Sequence, residues 1–261
     1  MRTQRRQPSL PKPLIVPDPF DASGCFETCR VKKGKVLHLA QHRERLKTSL
    51  KTLHITSVSD AEIAAALQTA ARAVGDGFVR VALRRTGDPK VVVHQHRGIP
   101  YSARQIRRGI AVTTVVTRQS PVESVPAQVK HSERLSSVLS RAEAGNSMEA
   151  LRLGAHGYLT EGTVSNLFMV KDAALVTPPS WLGVLEGVTR SQVLQAAGHL
   201  KIPVQEVPVT RHDLFNADEA FLTNVLMGIM PIRQVDGRTI GTGVPGVITR
   251  RLMRVLSREK K

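Results

Sequence analysis

Cysteine, aromatic side chains and long apolar runs are all scarce in this 261-residue chain. Its two cysteines, Cys25 and Cys29, stand four positions apart. On a strand they would share a face but lie about 13 Å from each other, too far for a disulfide. They lack histidine or acidic partners at ligand spacing, so they read as small buried hydrophobes and no metal is expected. Aromatic residues make up 3% of the chain, which leaves few platforms for stacking single-stranded nucleic acid. Helix-turn-helix and zinc-finger spacings are absent as well, so nucleic acid is not an expected partner. No apolar run approaches the roughly 20 residues needed to cross a bilayer. Nor does an apolar stretch follow the basic opening Met1–Leu10, as a signal peptide requires. The expectation is a soluble, cytoplasmic protein with no membrane partner.

Acidic residues are few beside the basic ones. Lysine and arginine number 38 against 21 aspartates and glutamates, a formal charge of +17. The two ends carry about half of that excess: residues 1–12 hold four basic residues and no acid, and residues 249–261 hold six with one acid. These ends read as solvated tails, and a basic interior suits an anionic cofactor and a small anionic, amino-acid-like substrate.

Apolar periodicity divides the chain into a basic, Pro-rich tail (1–19), a small αβ domain (20–96), a linker (97–105) and a large mixed αβ domain (106–261). Cys25–Val31 alternates like a strand and returns through Lys32–Lys35 to Val36–Leu39. Leu39, Leu46, Leu50 and Leu53 recur at helical spacing. Asp60 reads as the cap of an Ala-rich helix ending at Gly75-Asp-Gly77. Strands at Phe78–Leu83 and Val91–His94 complete the first unit. In the second, a β-branched strand over 109–116 precedes a helix over 132–144. Strands follow near 149–153, 165–170 and 174–176, then a helix at 189–200, a strand at 204–208, a short helix at 211–216, a strand at 219–223 and a last helix at 247–257. The elements mix without the regular repeat of a doubly wound sheet, so the class is α+β.

Three sites along this order carry chemistry. Lys130 follows a loop with Pro121 and Pro126 and opens a helix. A lysine amine that is partly desolvated can lose its charge and become a nucleophile toward an aldehyde. Glu161, read as lying in a Thr-Glu-Gly turn before the apolar Asn166–Val170, could keep a pyridine nitrogen protonated. Gly187-Val188-Thr189 places free backbone N–H groups at a helix start, where a phosphate binds. Asn224–Met227 is a second candidate phosphate loop, and Arg45 on the first helix could supply the counter-charge. Taken singly, each has an ordinary counterpart: a solvated lysine, a turn acid, a threonine N-cap.

As an ordered series the motifs resemble the fold-type IV pyridoxal-phosphate enzymes: branched-chain and D-amino-acid aminotransferases and 4-amino-4-deoxychorismate lyase. The resemblance runs from about Gly24 to the C-terminus. It includes Phe26-Glu-Thr-Cys-Arg30, His42-Arg-Glu-Arg-Leu46, Lys130, Thr160-Glu-Gly162 with Ser165-Asn166, Thr177-Pro-Pro179, Gly187-Val-Thr-Arg190 and Thr223–Pro231. It implies a two-domain fold and a homodimer. It also implies pyridoxal 5'-phosphate held covalently by Lys130, with Glu161 on the ring nitrogen and Arg45, Val188, Thr189, Asn224 and Val225 around the phosphate. Three details are similar to the lyase: Lys130-His131 with Arg134-Leu135, Asn224-Val-Leu-Met227 with Met230-Pro231, and Thr28 at the place of a threonine that helps move a proton. Arg84, Arg85 and Arg97 are candidates for substrate carboxylates. The expected activity is therefore lyase chemistry giving 4-aminobenzoate and pyruvate. The alternatives are an aminotransferase of D- or branched-chain amino acids, and a basic binding protein that kept the fold without catalysis. Asp21 stands where branched-chain aminotransferases use a substrate-side tyrosine, and the segment Arg84–Pro89 is shorter than the usual substrate loop.

Overall fold

The computed structural model describes residues 24–84, 90–132, 135–243 and 245–258. The basic tail at 1–19, Asp21, Arg85, Glu133 and Arg134 lie outside the described residues.

The first domain is built on strand β1 (Gly24–Lys32), the two-residue return β2 (Lys35–Val36), helices α1 (Leu39–Thr52) and α2 (Asp60–Val74), and strands β3 (Gly77–Arg84) and β4 (Val91–Arg97). The sheet order is β2-β1-β3-β4, antiparallel throughout. Alternation along β1 sends Cys25, Cys29 and Val31 toward the helices, into a core with Leu46, Leu50, Ile63 and Leu67. A buried leucine of this kind contributes about 2 kcal/mol. The return strand is shorter than Val36–Leu39, because His38 takes a left-handed conformation and α1 begins at Leu39. The N-cap of α2 is Ser59 rather than Asp60: Ser59 and Glu62 form a reciprocal capping box.

The larger domain contains α3 (Ala103–Arg108), β5 (Ile110–Thr114), α4 (Leu135–Glu143), β6 (Glu149–Leu153), β7 (Leu159–Gly162), β8 (Asn166–Lys171), β9 (Ala174–Thr177), α5 (Val188–His199), β10 (Val204–Glu206), α6 (Arg211–Phe215), β11 (Glu219–Asn224), β12 (Gly228–Val235), β13 (Arg238–Thr239) and α7 (Val247–Arg258). Strands β8-β11-β12-β5-β6-β7 form a ring that closes where β7 pairs β8. Closure removes the open edges of this sheet, and β9, β10 and β13 extend it outside the ring. One apolar cluster includes Leu151, Leu167, Leu222 and Met230. A second packs α5 and α7 against Phe168 and Phe221, whose rings stack at 5.1 Å. The first turn of α7 is capped from outside the helix: the Glu219 carboxylate accepts from the Ile248 and Thr249 N–H groups.

Besides the two-residue β13, three elements go beyond the periodicity. Helix α3 takes Ala103–Arg108, started by a capping box between Ser102 and Gln105. Strand β7 is only four residues long and ends on Gly162. Strand β12 contains Pro231, which demotes it in any sequence reading. In the fold Pro231 falls just before the pairing with β5 begins at Ile232, so no ladder bond to β5 is lost. Among the described residues no helix is long and apolar enough to cross a membrane.

Candidate active site

Lys130 reaches the site by docking its own backbone onto β1. The Phe26 N–H donates to the Lys130 carbonyl at 3.0 Å, and the Ser132 N–H donates to the Gly24 carbonyl at 2.9 Å. A single bridge between Cys25 and His131 completes this short pairing. It uses the end of β1 that β2 does not cover. The Lys130 ammonium then lies over the Phe26 ring, 4.9 Å from its centroid.

Glu161 faces it across a cavity lined also by His131, Ser136, Ser137, Arg152 and Leu185. The carboxylate is not in a turn, as the local sequence suggests. It sits on β7, opposite Asn166 of β8, at the pair that closes the ring. The reversal falls later, at 163–165, because buried Glu149 gathers that loop. Its carboxylate accepts from the Thr163 and Val164 N–H groups and from the Thr163 and Ser165 hydroxyls. Glu161 itself is oriented by three donors: Arg152 Nη2 at 3.0 Å, Asn166 Nδ2 at 3.1 Å and the Leu185 N–H at 3.0 Å. Arg152 is buried and also donates to the Gly162 carbonyl.

At the far end, helix α5 starts at Val188 with Gly187 as its N-cap and no side-chain cap. Thr189 is therefore inside the first turn, not at the cap, and is buried. A Cβ on Gly187 would overlap Asn166 Oδ1, so the helix start and the Glu161 support are in direct contact. An uncapped N-terminus presents N–H groups and the positive end of the helix dipole, the donor set an anionic group needs. Arg45 lies beside it: its Nη1 donates to the Glu186 carbonyl at 2.9 Å.

Arg45 is held from behind by Glu27. The guanidinium forms a fork on the carboxylate, Nε to Oε1 at 2.6 Å and Nη2 to Oε2 at 2.9 Å. His42 Nδ1 is 2.8 Å from the same carboxylate. Burial pushes the Glu27 carboxyl up, but the Arg45 charge and the hydrogen bonds from His42 and Arg45 outweigh it and hold the group at about 2. Glu27, Cys29 and His42 bring one ligand atom each within 4.8 Å, a grouping that the spacing around the cysteines does not reveal. Arg45 already engages both Glu27 oxygens as the cation. Burial, reinforced by the Glu27 charge, pushes the Cys25 thiol up to about 12 and Cys29 well above its ordinary value. Both cysteines are free and buried.

The remaining predicted residues separate into two groups. Asn224 lies near the site, but its side chain is turned onto its own loop. Its Oδ1 accepts from the Leu226 and Met227 N–H groups, and its Nδ2 donates to the Val164 carbonyl. Val225 packs against the large core. Thr28 is on the face of β1 that also carries Phe26, and its hydroxyl accepts from Arg80 Nε at 3.2 Å. Arg84 and Arg97 stand at opposite ends of the β3–β4 pair, about 20 Å apart along the strands. They cannot grip one carboxylate together, and Arg97 is exposed.

Arg80, between them, is not singled out by sequence. Its guanidinium lies 5.1 Å from the Phe26 centroid, and burial lowers its pKa. Arg152, Glu149 and Glu27 escape the sequence reading too. Their common signal is a charge in the middle of a buried apolar strand (Glu149-Ala-Leu-Arg-Leu153, Cys25-Phe-Glu-Thr-Cys29), which demands a partner.

Ring, small αβ cap and lysine–glutamate cavity together define a fold-type IV pyridoxal-phosphate enzyme. The chain belongs to the amino-transferase class IV family, whose model matches residues 24–235. It is 34% identical over 245 residues to a Methanocaldococcus jannaschii protein named among the branched-chain-amino-acid aminotransferases, covering 88% of this chain and 84% of that one. It is 31% identical over 244 residues to the aminodeoxychorismate lyase of Vibrio harveyi, covering 88% and 89%. The solved 4-amino-4-deoxychorismate lyase from Pseudomonas aeruginosa superposes with a TM-score of 0.80 at 29% identity, covering 92% of this chain and 91% of that one. The family uses pyridoxal 5'-phosphate as cofactor, and a branched-chain aminotransferase of the same fold is solved with the pyridoxamine form. The donor set here fits that group. An amine, an oriented carboxylate and an uncapped helix start with an arginine beside it border one region.

Proposed function

We propose that the chain is a pyridoxal-phosphate-dependent lyase that converts 4-amino-4-deoxychorismate into 4-aminobenzoate and pyruvate. The carrying observation is Thr28. Its oxygen accepts the Arg80 N–H, so its own hydrogen is available to donate on the face where Lys130 covers Phe26. A lyase needs a donor there for the departing enolate. A transaminase needs instead to return a proton to the cofactor.

In this reading Lys130 links to the cofactor aldehyde and Glu161 meets the ring nitrogen. The first-turn N–H groups of Val188 and Thr189, with Arg45 nearby, receive the phosphate, and the Asn224–Val225 loop borders it. Bound pyridoxal phosphate supplies an electron sink for the pair left when the substrate's α-proton departs. The Lys130 amine takes that proton as general base. The carbon–oxygen bond to the enolpyruvyl group would break, the ring would become aromatic, and the proton taken up by Lys130 would pass by way of the Thr28 hydroxyl to the leaving enolate, leaving both residues in their starting states. Arg80, forked and half withdrawn from solvent, binds a substrate carboxylate better than the exposed Arg97 or the distant Arg84.

The second reading, a branched-chain or D-amino-acid aminotransferase, is favoured by the 34% identity to the Methanocaldococcus protein. Production of fluorescent 4-aminobenzoate from aminodeoxychorismate tests the two. Its absence, with conversion of the cofactor to the pyridoxamine form by leucine or D-alanine, selects the transaminase. The proposal includes a cytoplasmic homodimer. Val116 and Leu135, 81% and 66% exposed, are apolar surface that a second copy would cover.

A further inference from the structure

The small sheet carries a cationic strip that the reaction scheme does not use in full. In an antiparallel sheet, directly opposed residues put their side chains on one face. The register sets Thr28, Arg80 and His94 in one row across β1, β3 and β4, and Arg30, Phe78 and His96 in the next. The opposite face is apolar, with Val79, Val81, Val91 and Val93 packed toward the helices. Neighbouring strands are about 4.8 Å apart, so one row places a hydroxyl, a guanidinium and an imidazole within about 10 Å.

This is the reacting face of the sheet. Lys130 and Arg80 both lie close to the Phe26 centroid, at 4.9 and 5.1 Å, and Arg30 donates to the Leu226 carbonyl of the larger domain at 3.4 Å. On β4, the His96 ring stacks on Phe78 at 4.5 Å with an 18° interplanar angle, which fixes its plane. Its Nε2 is buried with no hydrogen-bond partner. His94 is exposed on the outer strand of the sheet, open to a ligand. Burial first, and then the charges of Arg80 and His94, lower the His96 pKa, so the three groups sense one another. An anion placed among them relieves that repulsion. An exposed edge-strand histidine is ordinarily just solvated. Here it shares a row with a half-buried arginine and the proposed proton donor.

We propose that His94 and His96, continuing from Arg80, form a second carboxylate subsite, so that the site selects amines bearing two carboxylates over those bearing one. Arg80 and Thr28 hold the carboxylate nearer the reacting amine, and the β4 histidines hold the outer one. The proposal rests on the reading of Lys130 and Glu161 as the reacting centre, which fixes where the amine lies.

The test uses two unreactive acids, glutarate and butyrate, on the cofactor-loaded enzyme, followed by calorimetry and by NMR of the histidine ring signals. Glutarate is expected to bind at least about tenfold more tightly than butyrate and to move the His94 and His96 signals. His94→Asn is expected to bring the two affinities within about twofold. His94 is exposed, so this variant keeps the fold. Equal binding of the two acids by the wild type overturns the subsite, as does a preference that survives His94→Asn. Equal shifts at His199 and His212 would identify diffuse attraction by a basic protein and overturn it too. Failure of the covalent lysine–cofactor linkage, measured on the same preparations, would refute the reacting centre instead, so the two failures are distinguishable.

Discussion

Arg45→Met isolates what holds the small domain to the α5 end of the candidate site. Glu27 is 1% exposed and keeps its charge because the Arg45 fork and His42 compensate it. Removing the guanidinium leaves a buried carboxylate short of its main counter-charge. The expected cost is about 3–5 kcal/mol at neutral pH. A carboxyl whose folded pKa is depressed adds stability that is present above its ordinary value of 4.5 and is lost as pH falls toward about 2. The difference corresponds to about 3 kcal/mol in the wild type. In Arg45→Met, burial, the largest influence on the Glu27 carboxyl, is opposed by His42 alone, so the carboxyl rises from its wild-type position and the variant forgoes the stability the wild type gains as pH rises. The gap between variant and wild type, read by urea unfolding, should therefore widen between pH 4 and pH 7. Glu27→Gln with Arg45→Met should cost less than the two single changes added, by about 2 kcal/mol. A pH-independent gap, or strict additivity in the double variant, would refute the argument and reduce Arg45 to packing.

Other perturbations read the rest of the site. Gly187→Ala pushes a Cβ onto Asn166 Oδ1, and because Asn166 also holds Glu161, titration of the apoenzyme should show cofactor affinity lower by about tenfold with little loss of stability. Arg152→Met removes the arginine ion pair from Glu161 and leaves it Asn166 and the Leu185 N–H, and should cost about 3 kcal/mol in unfolding along with cofactor retention on a desalting column. Thr28→Val keeps the shape and removes the hydroxyl. It should lower kcat for 4-aminobenzoate formation by about 10²-fold while the cofactor spectrum stays the same, and an unchanged kcat would remove Thr28 from the scheme.

Much of this arrangement is legible before the fold is known, for identifiable reasons. The helices α1, α2 and α7 each have an apolar period, and β1, β3 and β8 alternate or run apolar. The ring is not legible. Its closure depends on β7, too short to show a period, and on β12, whose Pro231 argues against a strand until the neighbouring strand is known. Lys130 and Glu161 emerge from an ordered set of motifs, yet Glu161 reads as a turn residue because nothing local reveals that Glu149 draws the reversal further on. Arg84 and Arg97 draw attention because they flank loops. Arg80 does not, because its value comes from the register with Thr28 and His94, a long-range property. The Glu27–Arg45 fork joins residues 18 apart on different elements, and only packing brings them face to face.

The central claim is that Lys130 and Glu161 are two ends of one cofactor site. Borohydride reduction of the pyridoxal-phosphate-loaded enzyme, followed by digestion and mass spectrometry, tests it most directly. The account predicts a single stable pyridoxyl modification on the peptide containing Lys130, lost in Lys130→Ala and weakened in Glu161→Gln through faster cofactor release. Modification at Lys33 or Lys35, or an undiminished yield in Lys130→Ala, would contradict it.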